Sequence, residues 1–240
     1  ILAASAHEIA PTAVFHGFGD ACENSGMQRF TKLIADGTGT VAKCFGAPSQ
    51  VTGNFQQYAE DSCQQILADP DFDGEFNTVG LSQGSLFARY MAENCGKVRN
   101  MATLGGPHMG TTTVPHCTSG FICGALNAVV DRLVYLGIVQ SHVAPAGYFR
   151  DTKHWDRYLA GSTFLPALNN ERPDDKDAAD RKKNFESING ALLVMFSEDT
   201  MIHPKETAWF ADTDKDGNVI PMKETELYTK DLIGLKTLDE

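Results

Sequence analysis

The sequence predicts an α/β fold, a mostly parallel central sheet with helices on both faces. Three observations predict it. Short β-prone runs alternate with helical patterns over the first hundred residues and again near residue 190. One of these runs, residues 78–81, passes at once into a helical pattern through a serine flanked by glycines. A long helical and mixed stretch, from about 111 to 184, then interrupts the alternation and reads as an insertion into the sheet core.

The elements follow in order. Residues 12–15 form the first predicted strand, which ends at the glycine-rich turn His16-Gly17-Phe18-Gly19. Residues 41–45 form the second. Residues 54–67 read as a helix with Phe55, Tyr58, Ala59, Cys63, Ile66 and Leu67 on one face. After the strand at 78–81, a helix from about 83 to 94 is expected to bury Leu86, Phe87, Tyr90 and Met91. Further strands are expected at 98–104, before Gly105-Gly106-Pro107, and at 191–196. Within the insertion, Phe121, Leu126, Val129, Val130, Leu133, Val134 and Leu136 recur at helical spacing. Trp155, Tyr158, Phe164 and Leu168 mark a mixed segment, and the charged run 174–183 reads as a solvated helix face. The expectation is a single domain over 1–240, its core 1–110 and 185–240, its helical lid about 111–184, with the closing strand of the sheet missing.

Composition narrows the function. Of 240 residues, 42% are hydrophobic and 21% charged, ordinary for a globular domain with a sizeable core. A formal net charge of -11 without a Lys/Arg stripe argues against a nucleic-acid partner. No run of eighteen apolar residues occurs, so no membrane span is predicted. The cysteines are Cys22, Cys44, Cys63, Cys95, Cys117 and Cys123; none forms a C-x-x-C pair that would suggest zinc or a redox motif. They read as three disulfides of a secretory protein or as buried free thiols. Residues 1–6 read as a signal-peptide tail, with Ala4-Ser5-Ala6 as cleavage site, or as an ordinary mature start.

The chemistry centres on Gly80-Leu81-Ser82-Gln83-Gly84, a G-x-S-x-G pentapeptide between a strand and a helix. A nucleophilic serine on a sharp turn needs small neighbours, and this context points to an α/β-hydrolase with Ser82 as nucleophile. A serine at a helix start places the backbone N–H of Gln83 where an oxyanion would form. The second donor is assigned to the backbone N–H of Phe18, with His16 ordering its own loop. The acid should follow a later strand: Asp199 fits, with its neighbour Glu198 as rival. The base is a difficulty. His203 stands only four residues after Asp199, too close for an intervening strand, and His7, His108, His116, His142 and His154 precede the acid.

From Phe15 onward the chain resembles the palmitoyl-protein thioesterases of the lysosome. The resemblance runs through His16 to Asp20, the pentapeptide, Gly105-Gly106-Pro107-His108-Met109-Gly110 and Glu198 to Pro204. It continues through Trp209-Phe210 and Glu224 to Tyr228, and closes on Asp231 to Lys236. It implies Ser82 as nucleophile, Asp199 as acid, the Phe18 and Gln83 amides as oxyanion hole, and disulfides Cys63–Cys95 and Cys117–Cys123. Cys22 and Cys44 remain and are expected to pair. It also places the catalytic histidine beyond the stretch matching Gly234 to Glu240.

The implied activity is hydrolysis of fatty acyl thioesters on protein cysteines, in the secretory pathway, lysosomal lumen or extracellular space, without cofactor. The partners implied are S-acylated proteins or peptides and fatty acyl chains. The rivals are a lid-bearing lipase or carboxylesterase acting on oxygen esters, and a dead hydrolase serving as a binding subunit. Asp212-Thr213-Asp214-Lys215-Asp216-Gly217 opens like a calcium loop, but its twelfth position is Lys223, and Asp216-Gly217 suits a hairpin turn. No metal is expected.

Overall fold

The computed structural model describes residues 9–47, 50–113, 130 and 132–240. Five parallel strands form one sheet: β1 (Thr12–Phe15), β2 (Ala42–Phe45), β3 (Phe76–Leu81), β4 (Val98–Leu104) and β5 (Gly190–Val194). Their order is β2-β1-β3-β4-β5, and every neighbouring pair is parallel. β1 is buried at all four positions and β3 alternates between buried and half-buried. The central strands therefore carry the core. At the edge, no residue of β5 is fully buried, and Leu192 is 61% exposed.

The helices cover this sheet unequally. A helix absent from the sequence reading, α1 (Ser25–Thr38), fully buries Met27, half-buries Phe30 and Ile34 on the same face, and leaves Leu33 exposed. The next, α2 (Phe55–Ala68), begins one residue later than expected, because the Asn54 side chain accepts from the Gln57 N–H as its cap. Phe55, Ala59, Cys63 and Ile66 of its expected face are buried; Leu67 turns outward and is largely exposed. The helix after β3, α3 (Gly84–Tyr90), widens into a π-helical turn over Met91–Cys95. Leu86, Phe87 and Met91 are fully buried, whereas Tyr90 is only half-buried.

Described residues of the stretch between β4 and β5 pack onto this core. Phe55 stacks on Phe87 with ring centroids 4.6 Å apart, and Phe164 and Tyr148 of the insertion meet Phe55 edge-on at 4.7 and 5.2 Å. The guanidinium of Arg89 on α3, fully buried, donates to the carbonyls of His108 and Leu168 and pairs with Glu93 at 2.6 Å. The charged run at 174–183 is not a purely solvated face. In the helix Ala178–Glu186, Arg181 and Phe185 are buried, with Arg181 paired to Asp175 at 2.6 Å. The hairpin expected around Asp216-Gly217 joins Asp212–Thr213 to Val219–Ile220, with Gly217 at φ 88.

Cys22 is bonded to Cys44 and Cys63 to Cys95. The expected Cys117–Cys123 bond, His7, His116, the start of the chain, and Phe121, Leu126 and Val129 lie outside the described residues.

Candidate active site

Ser82 occupies the turn between β3 and α3 with φ 48, in the left-handed region that non-glycine residues seldom adopt. Neighbouring bonds hold that conformation. The Ser82 N–H donates to the Leu104 carbonyl of β4 at 2.7 Å, and its carbonyl accepts from the Ser85 N–H at 2.9 Å. The flanking glycines are required by contact. A Cβ on Gly80 would lie 2.4 Å from the Ser85 Cα, and one on Gly84 would lie 2.4 Å from the Phe15 carbonyl oxygen. Strand β1, strand β3 and the start of α3 thus approach more closely than any side chain allows.

The loop after β1 lies against the same serine. A Cβ on Gly17 would stand 3.4 Å from both the Leu81 oxygen and the Ser82 Cβ. His16 is fully buried, its Nε2 2.9 Å from the Ala47 carbonyl and its Nδ1 2.9 Å from the Gly17 carbonyl, so its ring orders this loop. The side chains of Phe18 and Ser82 both line one cavity of about 420 Å³. Apart from Thr111 and Thr113 the rest of that wall is mainly apolar: Val134, Val139, Tyr148 and Phe149 come from the stretch between β4 and β5, Met201 and Ile202 from the loop after β5.

Asp199 lies on that loop. Its Oδ1 accepts from the N–H groups of Met201 at 2.8 Å and Ile202 at 3.1 Å, and its own N–H donates to the Phe196 carbonyl. Its Oδ2 would lie 3.6 Å from a Cβ on Gly105, at the end of β4. Glu198, the rival acid, is exposed. Asp199 is thus the carboxylate held against the sheet, at the end of a strand two places from the one that delivers Ser82.

No histidine among the described residues lines the Ser82 cavity. The His203 side chain is exposed, and its carbonyl accepts from the Thr112 N–H at 2.9 Å. His108 is fully buried and stacked on Phe210 at 4.4 Å, with Nε2 2.9 Å from the Thr103 hydroxyl. Burial, and then the nearby Arg89 charge, hold its pKa well below the ordinary histidine value, so it stays neutral. His154 bonds Asp151 at 2.9 Å away from the cavity. Among the described residues no cluster of metal-binding side chains occurs and no helix is long and apolar enough to cross a membrane.

The sequence reading missed the side chain of Gln83, which is buried and joins two distant segments. Its Oε1 accepts from the Tyr148 hydroxyl at 2.9 Å, and its Nε2 donates to the Gln50 carbonyl at 3.2 Å. Nothing local in the sequence signals this, since Tyr148 is 65 residues away.

Comparison with known proteins shows the family. The family model described as palmitoyl protein thioesterase matches residues 11–240. The chain is 32% identical over 246 residues to palmitoyl-protein thioesterase 1 of Caenorhabditis elegans, covering 96% of this chain and 81% of that protein. It is 31% identical over 167 residues to a lysosomal thioesterase of Xenopus laevis, covering 67% of this chain and 56% of that one. A solved esterase from Rhodococcus aligns over 83% of this chain and 76% of its own, at 14% identity and a TM-score of 0.39. By its family match and its five-stranded parallel sheet flanked by helices, the chain belongs to the palmitoyl-protein thioesterase family and has the α/β-hydrolase fold.

Proposed function

We propose that this chain hydrolyses thioesters linking palmitoyl and similar long fatty acyl groups to protein cysteines, with Ser82 as nucleophile. The observation that carries the reading is a strained serine opening into an apolar cavity. Ser82 has φ 48 and shares its cavity with Val134, Val139 and Phe149. An acyl chain entering there leaves water at a gain of roughly 0.8 kcal/mol per methylene, while its carbonyl carbon meets the hydroxyl.

Attack by Ser82 Oγ on that carbonyl forms a tetrahedral oxyanion, received by the backbone N–H groups of Phe18 and Gln83. Collapse expels the cysteine thiolate, a far better leaving group than an amine because its conjugate thiol has a pKa of about 8.5. Water then hydrolyses the acyl-serine. A general base must take the hydroxyl proton, with Asp199 as the carboxylate that orients it; no described histidine is assigned that role. Val134, Val139, Tyr148 and Phe149, from the stretch between β4 and β5, act as part of a lid that walls the cavity. Two disulfides suit an oxidising compartment, and the lysosomal lumen is the site favoured here.

The test is side-by-side turnover of an S-palmitoyl peptide and the matched oxygen ester by the protein and by Ser82→Ala. Preference for the thioester, lost in Ser82→Ala, is expected. Preference for the oxygen ester defeats the substrate assignment, and turnover by Ser82→Ala defeats the nucleophile.

A further inference from the structure

We propose that Tyr148 is a positioning residue for acyl transfer: its hydroxyl fixes the Gln83 side chain, and through it the Gln83 amide beside Ser82. The proposal rests on the reading of Ser82 as nucleophile and of the Gln83 N–H as an oxyanion donor.

The peptide following a left-handed serine must hold its N–H in one direction before the substrate arrives, because a preorganised dipole needs no rearrangement during reaction. Gln83 is 1% exposed and its carboxamide is anchored at both ends. The Tyr148 hydroxyl donates to Oε1 at 2.9 Å; Nε2 donates to the Gln50 carbonyl at 3.2 Å and lies 3.4 Å from Gln50 Oε1. Gln50 is itself 1% exposed and sits at φ 44, so the acceptor end is backbone in a fixed, uncommon conformation. A side chain gripped from two directions cannot change rotamer without leaving a buried amide unpaired.

Tyr148 is rigid enough to serve as the anchor. Its ring meets Phe55 edge-on at 5.2 Å, and its carbonyl accepts from the Thr111 N–H at 3.1 Å. Gly110, at φ 85, approaches that carbonyl so closely that a Cβ would lie 2.6 Å from it. Burial raises the phenol's pKa above its ordinary value, so the hydroxyl keeps its proton and remains the donor. The same ring lines the cavity that opens on Ser82. Tyr148 therefore connects the wall of the acyl cavity, on the insertion, to the residue after the nucleophile, on the sheet core.

A tyrosine that merely fills the wall would affect acyl binding, hence KM; one that positions an amide affects kcat. Tyr148→Phe keeps the ring and removes only the hydroxyl. With an S-palmitoyl peptide, kcat should fall about tenfold, short of the ~10²–10³ that outright loss of an oxyanion donor costs. KM should stay within about twofold, since wall contacts are kept. Gln83→Met, which keeps length but deletes both polar ends, should lower kcat at least as much. The double variant should be no slower than Gln83→Met alone, because Tyr148 acts through Gln83. Unchanged kcat in Tyr148→Phe, a change confined to KM, or losses that multiply in the double variant would overturn the proposal. If Ser82→Ala is inactive while Tyr148→Phe matches the unaltered protein, only this proposal falls; if Ser82→Ala turns over, the nucleophile assignment falls with it.

Discussion

Ser82 and Asp199 stand at the ends of strands in one parallel sheet, yet their surroundings are built in opposite ways. Around Ser82 the chain is crowded: β1 is wholly buried, and Gly80 and Gly84 leave no room for a methyl group. Along β5, the strand that leads to Asp199, the chain is open: among the described residues β5 has one sheet neighbour, Leu192 is 61% exposed, and a Cβ on Gly190 at its start would meet nothing within 4 Å. The serine is held by steric exclusion. The carboxylate is held by two amide hydrogen bonds from Met201 and Ile202. Crowding dictates residue types, whereas a hydrogen-bonded loop tolerates many, so one side of the site is written in a motif and the other is not.

Three experiments press on this contrast. The largest effect is expected at the open side: Asp199→Asn should lower kcat by roughly 10⁴-fold with little loss of stability, because such a change alters the base's tautomer rather than packing. Steady-state kinetics alongside thermal unfolding would check it; a loss below tenfold would move the acid elsewhere, with Glu198 the first alternative.

The paired changes Gly84→Ala and Gly190→Ala compare the sides directly. At Gly84 the new methyl would press on the Phe15 carbonyl, so a loss of about 1–3 kcal/mol or more is expected, typical of forced overpacking. At Gly190, the first residue of β5, the methyl enters open space, and a shift within about 1 kcal/mol, if anything stabilising, is expected, since alanine loses less backbone freedom on folding than glycine. Denaturant unfolding of both variants reads the difference; equal losses would erase the contrast.

The smallest effect concerns a charge on the crowded side. Glu93 is fully buried, and burial pushes its carboxyl up to about 7, against the opposing pull of the Arg89 pair and of Arg181. Because the folded-state value lies above the ordinary 4.5, folding favours the protonated form. That contribution is complete below the ordinary value and is lost as pH rises through about 7. The groups facing it are Arg89, which also holds the His108 carbonyl, and Arg181 from the helix Ala178–Glu186. Replacement by a neutral amide, Glu93→Gln, should flatten the decline in melting temperature between about pH 5 and pH 8. An unchanged slope would place the titration in another group.

How much of this was legible depended on the kind of force involved. The strands at 12–15 and 98–104 were readable to the residue, because short β-prone runs ended in glycine-rich turns. The strand before Ser82 was read two residues short: Phe76 and Asn77 extend it by pairing with β4 and β1. The helix Ser25–Thr38 was passed over although Met27, Phe30 and Ile34 stand at helical spacing; the stripe is short and its flanks, Gly26 and Gly37, read as loop. Leu67 was assigned inward by periodicity, but in the last turn of α2 it remains 42% exposed. The charged run at 174–183 looked solvated because its sequence could not reveal that Arg181 folds under against Asp175.

The sequence by itself determined the turn that presents Ser82, since only glycines satisfy the close approach of three backbone segments, and close approach is a local demand. It also placed a carboxylate at the end of a late apolar strand. Only the tertiary structure decided which long-range groups meet there: Tyr148 on Gln83, Arg89 between His108, Leu168 and Glu93, and the insertion's valines around one cavity. Those pairings join residues far apart in the chain through ordinary side chains. Any tyrosine can donate and any arginine can pair, so their partners were fixed by packing, not by residue type.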